Sequence, residues 1–198
     1  MNLTIKKTNK PLMGPLRPES DKSISQRLIL FSLLTNEECV FEKISRALDP
    51  KSALIAASLF GLEYKLEGDT LITKGPGFRS LQEPSVPVYC GNSGTLMRFL
   101  MGLLAPSDIF AVLTGDESLN KRPMARIADP LKSMGAEIFS RTQGFAPLAI
   151  KGTKLKGINY TLPVASAQLK TAILLATLNS EGTSTIIENT PSRDHSER

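Results

Sequence analysis

Residues 21–44 read DKSISQRLILFSLLTNEECVFEKI. Small polar residues come first, then a basic residue, a run of large apolar residues, a turn, and a short β-prone segment. The same order recurs in NSGTLMRFLMGLLAPSDIFAVLTG (92–115) and in SAQLKTAILLATLNSEGTSTIIEN (166–189). Their basic residues are Arg27, Arg98 and Lys170, spaced roughly 70 residues apart, so one supersecondary unit is being repeated. Each stretch predicts a polar-capped helix followed by a strand.

The middles of the units repeat as well. LIAASLFGLEYKLEGDTLITKG (54–75) matches IADPLKSMGAEIFSRTQGFAPLAIKG (127–152). In both, an amphipathic helix ends at a glycine, Gly61 or Gly135, suited to a left-handed C-terminal cap. Two strands follow. A unit therefore reads helix, strand, helix, strand, strand. The expected fold class is α/β (α+β), with units at about 15–82, 83–158 and 159–198. The Pro-rich EPSVPVYCG (83–91) links the first two. The third stops after its first helix and strand, as expected of a piece of a longer architecture.

A helix start has free N–H groups and the positive end of the dipole. At the first start stand Ser20, Asp21, Ser23 and Ser25, good capping residues, with Lys22 and Arg27 adding positive charge. Two readings fit: a capped helix with solvated charges, or a cradle for an anion. Pseudo-threefold packing would bring three such starts toward one place, a strong site for a multiply anionic small molecule.

Composition narrows the classes. With 41% hydrophobic and 22% charged residues in 198, the chain can bury a core. No apolar run reaches membrane-spanning length and the N-terminus lacks a signal-peptide apolar segment, so a cytoplasmic location is the default. A net charge of +5, no tryptophan and 6% aromatics argue against nucleic acid. Cys39 and Cys90 match no zinc spacing and are expected to be packed, Cys39 in a core strand. His195 stands alone, which excludes multi-histidine metal sites. No metal or cofactor is expected.

In order, DKSISQR (21–27), GNSGTLMR (91–98), LTGDESLNKRPM (113–124), PVASAQLKTA (163–172) and SRDHSER (192–198) resemble 5-enolpyruvylshikimate-3-phosphate synthase. The resemblance covers the chain from about Pro15 to Arg198. It implies transfer of the enolpyruvyl group of phosphoenolpyruvate to the 5-hydroxyl of shikimate 3-phosphate, releasing phosphate, in aromatic amino-acid biosynthesis. It also implies an inside-out α/β barrel of two lobes, each of three βαβαββ units, with substrates in the cleft. This chain would be most of the first lobe, and the strand LTIKK, within 1–14, would lie with the other. The complete form is expected to be a monomer, with small-molecule substrates as its partners and no nucleic acid or membrane.

The resemblance also implies roles. Lys22 would touch both substrates and take part in catalysis. Ser23 and Arg27 would hold the shikimate carboxylate and ring. Asn92 and Gly94 would wrap phosphoenolpyruvate, which Arg122 would clamp. Ser166, Ala167 and Gln168 would hold the shikimate 3-phosphate, Gln168 reaching both substrates, and Ser192 and Arg193 are candidates for the same phosphate. The chemistry is addition then elimination through a tetrahedral intermediate, and the acidic proton-transfer groups are expected in the second lobe. The phosphoenolpyruvate position is the one the herbicide glyphosate occupies.

The chain departs from the family pattern at Pro18-Glu19-Ser20, where Pro-Gly is usual, at Gln26, where histidine is common, and at Pro50 after Asp49, where threonine is common. Arg98 fits an ion pair or a ligand contact, and Lys170 fits a counterpart of Arg27 or a solvated residue. His195 reads as structural, and Asp49 as able to orient a basic neighbour. A UDP-sugar enolpyruvyl transferase is a weaker match, because its reactive cysteine is absent from LTGDESLNKRP. An RNA 3′-phosphate cyclase lacks its histidine motif here. A phosphorylated-ligand binder without turnover is the reading from another class.

Overall fold

The repeat in the sequence is a repeat of chain path. The computed structural model describes residues 4, 6, 7, 11, 13–16 and 18–198. The first unit runs α1 (Lys22–Phe31), β1 (Glu38–Phe41), α2 (Leu48–Ser58), β2 (Glu63–Glu67) and β3 (Thr70–Lys74). The second runs β4 (Val88–Tyr89), α3 (Gly94–Leu104), β5 (Phe110–Thr114), α4 (Ala125–Ser133), β6 (Glu137–Ser140) and β7 (Leu148–Lys151). The third holds β8 (Asn159–Thr161), α5 (Ala167–Thr177) and β9 (Thr185–Ile187). The architecture is mixed α/β.

The sheets repeat too. In the first, the order β1–β3–β2 is antiparallel throughout. In the second, β5–β7–β6 repeats that arrangement, and β4 adds in parallel beside β5. The third pairs β8 with β9 in parallel. The strand β4 lies inside the stretch read as a linker, because two residues directly after Pro87 give too little pattern to announce a strand.

Local chemistry sets the boundaries. Asp21, Ser93 and Ser166 cap α1, α3 and α5, each accepting from a backbone N–H of the first turn. The second helices close alike. Gly61 and Gly135 have positive φ, and the next residue bonds back five positions, Leu62 N–H to Ala57 and Ala136 N–H to Leu131. The glycines ending LITKG and LAIKG have a packing reason. A Cβ on Gly75 would lie 1.8 Å from the Ser32 carbonyl oxygen, and one on Gly152 would lie 1.7 Å from that of Ser107. In each of the first two units the last strand thus exits against the turn that follows the first helix.

The core is centred on α3, where Leu96, Met97, Phe99, Leu100, Met101, Leu103 and Leu104 are buried. It packs on α5 so closely that a Cβ on Gly102 would sit 2.1 Å from the Ala172 carbonyl oxygen. Close approach explains a glycine inside a helix, where it otherwise costs about 1 kcal/mol.

Some expectations are corrected. The apolar run 28–34, read as part of the first helix, is α-helical only to Phe31 and tightens into a 3-10 turn over Ser32–Leu34. Cys39 is only half-buried, on an edge strand, whereas Cys90 is fully buried and its thiol is pushed up to about 12 by burial. Both cysteines are free. The strand expected in LTIKK rests on Leu3 and Ile5, which lie outside the described residues. Among the described residues, no helix is long and apolar enough to cross a membrane.

Candidate functional site

The starts of α1, α3 and α5 are tied to one another by side chains. Gln26 of α1 accepts from the Ser93 hydroxyl, the α3 cap, at 2.5 Å. Gln168 of α5 donates through Nε2 to Thr95 Oγ1 of α3 at 2.7 Å, and its Oε1 accepts from Arg98 Nη1 at 2.7 Å. Gln26 stands where histidine is common in the resembling family, and here its amide does structural work.

Beside the α3 and α5 starts opens a cavity of about 620 Å³, lined by Arg98, Arg122, Arg126, Asp129, Ser166 and Gln168 among others. Three guanidinium groups face one carboxylate. Burial first, then Arg122 and Arg126, pull the Arg98 guanidinium below its usual value. No carboxylate lies within ion-pair distance of Arg98 among the described residues, so the ion-pair alternative for it falls. An anion entering this cavity would meet uncompensated positive charge in a partly desolvated place, where a charge-assisted hydrogen bond is strongest.

Arg122 is held in place by its neighbours. Its Nη2 donates to Asn92 Oδ1 and, at 3.3 Å, to Ser118 Oγ. The Asn92 amide donates in turn to Asp116 at 2.7 Å. Asp116 also accepts from Leu119 N–H at 2.7 Å, and that bond first, then Asn92, holds its carboxyl below the usual range. Asp116 thus anchors the loop that carries Arg122. Gly94 opens α3, buried, beneath the Arg98 and Arg122 side chains.

At the α1 start the cap changes what the helix can offer. The Asp21 carboxylate accepts from Ser23 N–H at 2.7 Å and Ile24 N–H at 2.8 Å, and is held low chiefly by the Ile24 bond. A negative charge already occupies that end of the dipole. What α1 offers an anion is the Lys22 ammonium, held at 2.7 Å by Asp49 from the first turn of α2. Asp49 is the orienting carboxylate that the sequence reading allowed for. Ser23 gives its carbonyl to Arg27 Nη1 at 2.9 Å.

Arg27, Ser192 and Arg193 lie elsewhere. Arg27 is buried, 4.7 Å above the Phe99 ring, and donates to Ser196 Oγ at 2.7 Å and Thr171 Oγ1 at 3.4 Å. A ligand reaching it would have to replace Ser196. The Ser192 hydroxyl donates to Glu188 at 2.5 Å, and Arg193 is exposed. Neither lines the cavity that Ser166 and Gln168 share. Lys170 is neither a counterpart of Arg27 nor solvated. It is buried and paired with Glu188 at 2.5 Å and with Glu197. Nδ1 of His195 is buried with no hydrogen-bond partner among the described residues.

Sequence reasoning missed Arg126, Thr95 and Ser196, and set Arg98 aside. Arg126 had a signal, standing four residues beyond Arg122 in KRPMAR, in the first turn of α4. The others had none, because their partners lie some 70 or more residues away.

The chain has clear relatives. A family model described as EPSP synthase (3-phosphoshikimate 1-carboxyvinyltransferase) matches residues 6–198. A 3-phosphoshikimate 1-carboxyvinyltransferase of Thermus thermophilus is 48% identical over 191 residues, covering 95% of this chain and 44% of the relative. One of Synechocystis is 45% identical over 190 residues, covering 94% and 42%. The solved EPSP synthase of Acinetobacter baumannii superposes with a TM-score of 0.89 at 40% identity, over 93% of this chain and 42% of that one. The chain thus spans less than half the length of the relatives it matches. Sequence and fold agree along nearly all of its length, and the chain belongs to the EPSP synthase (3-phosphoshikimate 1-carboxyvinyltransferase) family.

Proposed function

We propose that this chain forms one wall of a cytoplasmic active site that transfers the enolpyruvyl group of phosphoenolpyruvate to the 5-hydroxyl of shikimate 3-phosphate. The hydroxyl oxygen bonds to the enol carbon and gives up its proton to a base, while an acid adds a proton to the methylene. Loss of a methyl proton and of phosphate then restores the double bond. The observation that carries the reading is the cavity where three guanidinium groups meet the capped starts of α3 and α5. Both substrates are multiply anionic, and such a place favours them.

In this reading Arg122, steadied by Asn92, clamps phosphoenolpyruvate beside Gly94. Ser166, Ala167 and Gln168 receive the shikimate 3-phosphate, Lys22 reaches both substrates, and Ser23 and Arg27 serve the shikimate ring and carboxylate. Ser192 and Arg193 join the phosphate only if Ser192 releases Glu188. The three units, at about 15–82, 83–158 and 159–198, pack with pseudo-threefold symmetry as one lobe of an inside-out barrel. Segment 1–14 belongs with a second lobe, which closes the cleft and brings the proton-transfer groups. Closure matters because acid and base must flank the reacting carbon away from water.

Calorimetry of shikimate 3-phosphate against a UDP-sugar tests this reading. Shikimate 3-phosphate is expected to bind the 198-residue chain more weakly as salt rises. Lys22→Ala, at an exposed position, should weaken it by about 1.5–3 kcal/mol, the worth of a charge-assisted hydrogen bond. Preference for the UDP-sugar would reject the assignment. Turnover should appear only when a second lobe is supplied.

A further inference from the structure

We propose that Arg98 is a positioning residue that aims Gln168, and that position 94 is glycine to leave room for it. The role in turnover rests on the reading just given; the geometry does not.

A Cβ built on Gly94 would lie 2.6 Å from Arg98 Nη1, while Arg122 Nη1 stands off at 3.6 Å. The Arg98 guanidinium therefore occupies the space a side chain at 94 would need. From there Nη1 donates to Gln168 Oε1 at 2.7 Å. The other end of the same amide donates to Thr95 Oγ1 at 2.7 Å. Both ends of the Gln168 side chain are thus fixed across the junction of α3 and α5, with its orientation set by a charged donor on one side. Arg122 and Arg126 repel Arg98, and among the described residues no carboxylate draws it elsewhere, so the amide oxygen and the open space over Gly94 fix its place. A methyl at 94 would have to push Nη1 aside, and that shift strains the bond to Gln168.

The test is a double-mutant cycle of Gly94→Ala and Arg98→Met, with Arg98→Lys as the second variant should Arg98→Met fail to fold. In the 198-residue chain, NMR of the Gln168 side-chain amide needs no ligand. Gly94→Ala and Arg98→Met should each move its signals, and the double variant should move them no further than Arg98→Met does. In the complete two-lobe enzyme, Gly94→Ala should raise the phosphoenolpyruvate KM about tenfold when Arg98 is intact. In the Arg98→Met background the same change should raise it less than about twofold, since coupled residues are not additive. Amide signals indifferent to Gly94→Ala, or equal KM losses in both backgrounds, would overturn the proposal. Coupled amide signals in an enzyme that does not use phosphoenolpyruvate would reject the functional reading and leave the positioning role standing.

Discussion

Arg98 and Lys170 are basic residues of matching helices in successive units, and their surroundings are opposite. Lys170 is met by two carboxylates, Glu188 and Glu197, with Glu188 held further by Ser192. Arg98 has a neutral amide and two more arginines. A buried charge must be paired or it destabilises the fold by several kcal/mol. Lys170 meets that demand within the chain, and so binds the segment after β9 to α5. Arg98, only half-buried, has no such partner among the described residues, and the proposed anion would enter the cavity beside it. Positive charge is common to both places, and in the proposed reading its missing partner marks a ligand site rather than a structural one.

The largest effect should come from making Lys170 resemble Arg98. Glu188→Gln together with Glu197→Gln leaves the ammonium without a counter-charge and should lower unfolding stability by about 2–3 kcal/mol in urea titration. Arg98→Met, by contrast, should stay within about 1 kcal/mol of the parent, because it removes a half-buried cation that no carboxylate among the described residues balances. Equal losses at the two sites would erase the distinction.

Next comes the crossing beneath both sites. Gly102→Ala forces α3 away from the Ala172 carbonyl and should cost about 1–3 kcal/mol, as overpacking does. Because α3 carries Arg98 and α5 carries both Gln168 and Lys170, the same change should disturb both places. A neutral outcome would mean that the helices separate without strain.

The smallest effect is a pH dependence confined to one of the two. Lys170 first, then Ser192, hold the Glu188 carboxyl below its ordinary 4.5. Its contribution is present above that unfolded value and is lost as pH falls through the lower folded one. Burial pulls Lys170 down, but Glu188 and Glu197 outweigh it and the net shift is upward from 10.5. That contribution is present below 10.5 and is lost as pH rises through the folded value. Urea midpoints of the parent and Glu188→Gln should therefore converge as pH drops below about 4.5. The Arg98→Met difference should not change there, since arginine does not titrate in that range.

Much of this was legible from residues. The repeated order of polar cap, apolar run and β-branched strand defined the units, and Gly61 and Gly135 marked two helix ends, because caps and periodicity act locally. What stayed hidden depends on register between distant segments. Arg27, Arg98 and Lys170 follow their caps Asp21, Ser93 and Ser166 by six, five and four residues. Each step turns a side chain by about 100° around its helix. The three residues look equivalent in the sequence, yet they point into different surroundings: a phenyl ring and Ser196, an open cavity, and a pair of carboxylates. Ordered motifs singled out Asn92, Gly94, Arg122, Ser166 and Gln168, which lie together near the starts of α3 and α5, whereas the Arg98–Gln168 bond joins residues 70 apart and had no local trace.

Titration of inorganic phosphate into the 198-residue chain, followed by the side-chain NMR signals of its arginines and lysines, tests the contrast most directly. Saturable shifts are expected at Arg98 and Arg122, weakened by added salt, with the Lys170 ammonium unmoved behind Glu188 and Glu197. Equal shifts at Lys170, or none at Arg98 and Arg122, would contradict it.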